Sequence, residues 1–277
     1  LRDFEISGFE RQRLVQTQAD RNKNKSQNRY PDSPSGPTIR NQINMKVEIW
    51  SDVMCPFCYI GKRRFESALQ QTSFKDNIEI EWKSFQLDPS IQIEPGKHVN
   101  QYLAERKGIP VEQAQALNKR VTEMAAAEGL QYDFDKAVVA NSFDAHRFSH
   151  LAAKEGKGDA AEERLFKAYF TEGKNIADRN TLVQLGTDIG LDGAAVKQAL
   201  ETDAYAQEVL HDIGEAQQIG VQGVPFFVLD RKYAVSGAQS AEIFVQALER
   251  AYTEWKQEHP DLIVTEGDVC KPGEDCN

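Results

Sequence analysis

Lys46-Val47-Glu48-Ile49-Trp50 alternates polar and apolar residues, and five residues after Trp50 comes Cys55-Pro56-Phe57-Cys58. The alternation predicts a short strand. Pro56 suits the first position of a helix, and the helical pattern continues to Gln71. A second strand fits Ile78 to Phe85, so the segment reads as a β-α-β unit with its cysteines at the strand-to-helix junction. Cys55 would then be the N-cap, where unpaired backbone N–H groups and the helix dipole favour a thiolate. Cys58 would lie one turn inside, within reach of it. That arrangement suits attack by Cys55 on a disulfide, followed by resolution by Cys58. The competing reading is half a zinc site, whose other ligands would have to be Cys270 and Cys276.

Outward from this unit, residues 97–202 carry helical patterning. One helix is expected after Pro110, with Val111, Ala114, Leu117, Val121, Met124 and Ala125 on one stripe, and another from Asn141 or Ser142 to Lys154. Three more should follow Asp159, Asp178 and Asp192, since Asp before an apolar run and Gly after it is the expected capping asymmetry. A helix over Asp203–Ile219 leads to two strand-like pieces, Phe226–Leu229 and Tyr233–Ser236, and a last helix from Ser240 to Gln257. Strands at both ends with helices between them predict one sheet split by a helical insertion.

The run Gly220-Val221-Gln222-Gly223-Val224-Pro225-Phe226-Phe227-Val228 places Pro225 directly before a strand, where it breaks no ladder. A cis bond there would turn the Val224 backbone toward the cysteines to pair with an extended substrate.

Three segments in this order carry a resemblance: Ser51 to Arg63, Asn141-Ser142-Phe143-Asp144-Ala145-His146-Arg147, and Gly220 to Val228. They resemble FrnE-like proteins of the DsbA family over residues 46–252. The resemblance implies an α/β thioredoxin fold split by an all-helical insertion domain. Its implied boundaries are 45–96 and 203–252 for the thioredoxin-like domain and 97–202 for the insertion. It also implies a protein-disulfide oxidoreductase with Cys55 as nucleophile, Cys58 as resolving thiol and Pro225 as cis-proline. Val224 and Phe57 become candidates for substrate binding, and Asn141, His146 and Arg147 are candidates either for substrate binding or capping at the cleft or for simple helix structure. Secreted DsbA proteins carry His where Phe57 stands, and Phe cannot donate a hydrogen bond to a thiolate, so weaker oxidising power is expected. Many thioredoxin-fold enzymes place a buried acid where this chain has Ile49. Glu48 alternates to the other face, which leaves Asp52 or water to accept the proton of Cys58.

His146 and His150 are spaced like zinc ligands on a helix, but Arg147 stands where a zincin would carry Glu, so no metal site is expected. No cofactor is expected either, apart from glutathione as a co-substrate. The expected partners are thiol or disulfide substrates, with thioredoxin or glutathione to recycle the dithiol. The rival functions are a glutathione-dependent isomerase or kappa-type transferase and a thiol-bearing chaperone.

Composition narrows the remaining classes. A net charge of −10 argues against nucleic acid or an anionic membrane as partner, and no apolar run approaches the length of a spanning helix. Residues 1–44 are net positive, polar and proline-containing, with no apolar periodicity and no signal-peptide core. They are expected to be a disordered leader ahead of a native start at Met45, in a cytoplasmic protein. The acidic segment 253–277 is expected to be a tail. Its Cys270 and Cys276 flank a Pro-Gly turn, and are expected either to form an auxiliary redox pair that exchanges with or protects Cys55–Cys58 or to be an incidental pair on a frayed tail.

Overall fold

The structure, a computed structural model, describes residues 44–91 and 97–260. Almost all of the expected leader and the cysteines at 270 and 276 lie outside that range. Among the described residues no helix is long and apolar enough to cross a membrane.

Strand β1 (Met45–Ser51) runs into helix α1 (Pro56–Gln71), and strand β2 (Ile78–Ser84) returns parallel to β1, with Met45 opposite Ile78 and Ser51 opposite Ser84. Strands β3 (Phe226–Leu229) and β4 (Tyr233–Ser236) complete a sheet of order β2-β1-β3-β4, β3 lying antiparallel to β1. Helix α9 (Ala241–Glu258) closes the described chain and carries the thioredoxin-like segment past its expected end at 252.

Period-2 alternation gives the sheet two different faces. On one, Val47, Ile49, Phe227 and Leu229 pack with Phe65 of α1 and with Phe244, Leu248 and Trp255 of α9. The Phe227 ring meets Phe244 edge-on at 4.6 Å and Phe65 at 5.3 Å. Each such side chain contributes about 1.5–3 kcal/mol by leaving water. On the other face Trp50 and Val228 pack with Ala216 and Val221, and Trp50 Nε1 donates to the Asp212 carbonyl at 3.0 Å. Glu48 is buried on that face, paired with Arg231.

Among the described residues between β2 and β3 every regular element is helical: α2 (Val99–Lys107), α3 (Val111–Ala127), α4 (Phe143–Lys154), α5 (Gly158–Phe170), α6 (Arg179–Asp188), α7 (Gly193–Glu201) and α8 (Ala206–Gln218). Asp178 and Asp192 cap as expected, accepting from Thr181 N at 2.8 Å and Ala194 N at 2.9 Å. Asp159 does not cap: α5 starts at Gly158, and the Asp159 carboxylate accepts from Trp82 Nε1 at 3.2 Å. α2 starts with His98, whose Nδ1 accepts from Asn100 N, while Gln101 accepts from His98 N. Helices α4–α7 and the start of α1 share one core, which contains Cys55, Cys58, Tyr59 and Ile60 alongside Phe148, Leu165, Phe166 and Leu182.

Candidate active site

Cys55 is the N-cap of α1 and Pro56 follows at the first helical position. Both thiols are buried, Cys58 the more deeply, and they are unpaired with any other cysteine among the described residues. Cys58 N donates to the Cys55 carbonyl at 3.0 Å, which closes the first turn. Burial pushes the Cys58 thiol well above its ordinary value, and its contact with Cys55 adds to the shift. The Ser51 hydroxyl and the Asp52 backbone act in the opposite sense.

The Val224–Pro225 bond is cis, and Cys55 Sγ donates to the Val224 carbonyl at 3.4 Å. The approach depends on Gly61, where a Cβ would stand 2.9 Å from Pro225 Cγ. On the insertion side, Tyr132 OH donates to the Pro56 carbonyl at 2.7 Å, and its ring stacks on Phe170 at 4.6 Å. α1 is tied to α5 by charge as well. Buried Lys62 reaches Asp159 and Glu163, each at 3.3 Å, and Tyr59 OH donates to Glu163 at 2.6 Å.

The candidates for substrate binding separate in space. Phe57 is 40% exposed beside the dithiol. Asn141 lines a cavity of about 370 Å³ with Gln86, Pro89, Phe143, Asp144 and Ala177. Its side chain is committed, however: Oδ1 accepts from Phe143 N, the first N–H of α4, at 2.9 Å and from Gln86 at 3.1 Å. Arg147 faces the end of α7. It is buried, and its guanidinium donates to the carbonyls of Ala199, Thr202 and Ala204 and to Asp144. It anchors the end of α7 because a helix C-terminus leaves carbonyls without intrahelical partners. His146 is also buried, and it points at Asp52 with Nε2 3.7 Å from Oδ1, beyond hydrogen-bond distance. His150 turns instead to Asp212 at 3.0 Å and Ser84 at 3.1 Å, so the two histidines do not converge on one point.

Asp52 is fixed by backbone donors, Leu87 N at 2.7 Å and Met54 N at 3.2 Å. Two groups escaped the sequence reading. Glu162 is buried on α5, where Ser149 donates to it at 2.6 Å and burial raises its carboxyl. Ser51 is buried with its hydroxyl unpartnered among oxygens and nitrogens. The signal for Glu162 was present, since it interrupts the apolar stripe of Ala161, Leu165, Phe166 and Tyr169.

A four-stranded sheet with a Cys-x-x-Cys helix, a cis-proline opposite it and helices inserted between its halves defines a thioredoxin-fold protein of the split type. Residues 46–249 match the model of the DSBA-like thioredoxin domain, and the chain belongs to that family of thiol–disulfide oxidoreductases. It is 31% identical over 214 residues to the uncharacterized protein YwbO of Bacillus subtilis, an alignment covering 74% of this chain and 96% of that one. The crystal structure of probable DsbA oxidoreductase SCO1869 from Streptomyces coelicolor is 41% identical, with a TM-score of 0.72, covering 83% of this chain and 97% of that one. A 2-hydroxychromene-2-carboxylate isomerase, 16% identical with a TM-score of 0.56, covers 77% of this chain and 99% of its own. That last likeness is one of fold alone.

Proposed function

We propose that the protein is a cytoplasmic thiol–disulfide oxidoreductase of the DsbA/FrnE type, working through Cys55 and Cys58. The observation that carries the reading is the placement of Cys55 between the N-terminus of α1 and the Val224 carbonyl. Cys55 attacks a substrate disulfide, and its sulfur then no longer donates to Val224. The freed carbonyl accepts a substrate backbone N–H, so an extended chain pairs at Val224–Pro225 while the exposed Phe57 ring gives it apolar contact. Cys58 attacks Cys55 and releases the substrate thiol. Thioredoxin or glutathione returns the dithiol to its starting state, and Cys270–Cys276 is the auxiliary pair for that return.

The test is insulin reduction and dithiol oxidation, measured beside the reduction potential of Cys55–Cys58. Cys55→Ser should abolish exchange, and Cys58→Ser should accumulate a mixed disulfide with substrate. Exchange that survives Cys55→Ser would refute the assignment. So would faster alkylation of Cys58 than of Cys55 at mildly acidic pH.

A further inference from the structure

We propose that His146 is the proton-holding residue of the dithiol, acting through Asp52. It takes up the proton Cys58 loses on resolving a mixed disulfide and returns it to the departing thiolate. The inference rests on the exchange reading of Cys55–Cys58 and adds to it the fate of the proton.

Among the described residues five buried side-chain oxygens and nitrogens lack a hydrogen-bond partner, and three of them are Ser51 Oγ, His146 Nε2 and Glu162 Oε2. Ser51 stands at the dithiol, while His146 and Glu162 belong to α4 and α5 of the insertion. Ser51 and the Asp52 backbone lie against Cys58. The Asp52 carboxylate, held by Met54 N and Leu87 N, faces Nε2 of His146 across 3.7 Å. Buried Glu162, whose charge acts on the imidazole, leaves one oxygen without a partner while Ser149 holds the other.

His146 therefore faces the Asp52 carboxylate of the β1–α1 loop and also feels the charge of Glu162 on α5. The Phe85 backbone after β2 also favours its charged form. The Asp52 charge also acts on Tyr169 of α5, while Lys62 of α1 and Asp159 of α5 act on Glu162. The neighbouring cations on α4 are engaged elsewhere, Arg147 on the α7 carbonyls and His150 on Asp212. Burial opposes a proton on the imidazole, but the Asp52 and Glu162 charges outweigh it and raise His146 above its ordinary value.

Resolution needs such a site. A buried thiol is a poor nucleophile, and a buried thiolate made without compensation is costly. Passing the proton to Nε2 leaves the net charge of the cluster unchanged. The Cys58 S–H bond breaks and Nε2–H forms. The Cys58 sulfur pair then attacks Cys55 Sγ, and the bond from Cys55 to the substrate sulfur breaks with its electrons on the substrate. Nε2 returns the proton to that thiolate. The two electrons come from the dithiol, so no further reductant is required.

The experiment uses the reduced full chain carrying Cys270→Ser and Cys276→Ser, mixed with 5,5′-dithiobis-(2-nitrobenzoate) in a stopped-flow instrument. Attack by Cys55 releases a first thionitrobenzoate, and resolution by Cys58 releases a second. With His146 intact the second phase should bend with pH at an inflection above the ordinary histidine value. His146→Gln should slow that phase at neutral pH by about 10-fold or more. It should also remove the bend, leaving a rate that climbs steadily with pH, while the first phase changes by less than about 2-fold. A second phase with unchanged rate and pH profile in His146→Gln overturns the proposal. Should that variant not fold, Glu162→Gln replaces it. Removing one carboxylate charge should lower both the inflection and the imidazole titration midpoint followed by NMR, and unchanged values overturn the proposal. Absence of any second phase in the His146-containing chain instead refutes the exchange reading itself.

Discussion

The sheet packs α1 and α9 through a core of Val47, Ile49, Phe65, Phe227, Leu229, Phe244 and Leu248, without a buried charge among its central side chains. The core that α1 shares with the insertion is built differently. Phe148, Leu165 and Phe166 pack there beside buried Asp52, Lys62, His146, Arg147 and Glu162. Both regions hold the same helix, yet only the second surrounds the cysteines. Buried ionisable groups cost free energy unless they are paired, and replacing them with apolar residues often stabilises a protein. Their concentration on one side of α1 assigns rigidity to the sheet side and chemistry to the insertion side.

The apolar side should give the largest effect on stability. Phe227→Ala removes a fully buried ring that touches both Phe65 and Phe244, and should cost about 3–5 kcal/mol in urea unfolding. The folded fraction should retain the exchange rate and its pH profile. A changed pH profile at undiminished stability would break the division between the two cores.

Arg147→Met tests the polar side where it is structural. The substitution keeps most of the volume but leaves the carbonyls of Ala199, Thr202 and Ala204 without the guanidinium. Stranded buried carbonyls should cost about 2–3 kcal/mol. The KM for a peptide disulfide should stay unchanged, because Arg147 faces the end of α7 and not the cleft. A large rise in KM with stability intact would return Arg147 to the substrate surface.

How far these assignments could be read in the sequence differs between the two cores in the same way. Periodicity and punctuation located the sheet, the Cys55 N-cap, the Asp178 and Asp192 caps and Pro225, because each depends on residues close together in the chain. α2 had no separate signal, since histidine is an uncommon cap and His98 works only through the reciprocal bond with Gln101. The partners of Arg147 could not be read from the sequence, because they lie on α7 and beyond it, and helical spacing does not reveal what a buried cation meets. Asp52 was legible as an acid near Cys58, but not as one facing His146. That pairing depends on how the insertion folds back over the β1–α1 loop, and Glu162, though legible as a break in the α5 stripe, could not be read as a charge acting on His146.

Gly61→Ala probes the seam between the two regions. Alanine gains up to about 1 kcal/mol in helix propensity over glycine. Its Cβ would, however, stand 2.9 Å from Pro225 Cγ, and overpacking of this kind costs about 1–3 kcal/mol. The net loss should be at most about 2 kcal/mol. Thiol exchange should suffer more than stability does, since displacing Pro225 moves the Val224 carbonyl away from Cys55. A variant as stable and as active as the parent would show that the seam is looser than its packing indicates.

The smallest effect should separate the cores by sign. His146 has a raised value in the folded chain, so its protonation favours folding. That contribution is complete below the ordinary histidine value of about 6.5 and is lost as pH rises through the higher folded value. The stability difference between the parent and His146→Gln should therefore shrink from mildly acidic to alkaline pH. The cost of Phe227→Ala involves no titrating partner and should stay constant over the same interval. Denaturant unfolding at pH 6, 7.5 and 9 gives both quantities from the same pair of variants. A His146→Gln difference that is flat with pH would mean the imidazole carries no extra proton between Asp52 and Glu162. A difference that grows with pH would mean that burial, which opposes the proton, prevails over the two carboxylates.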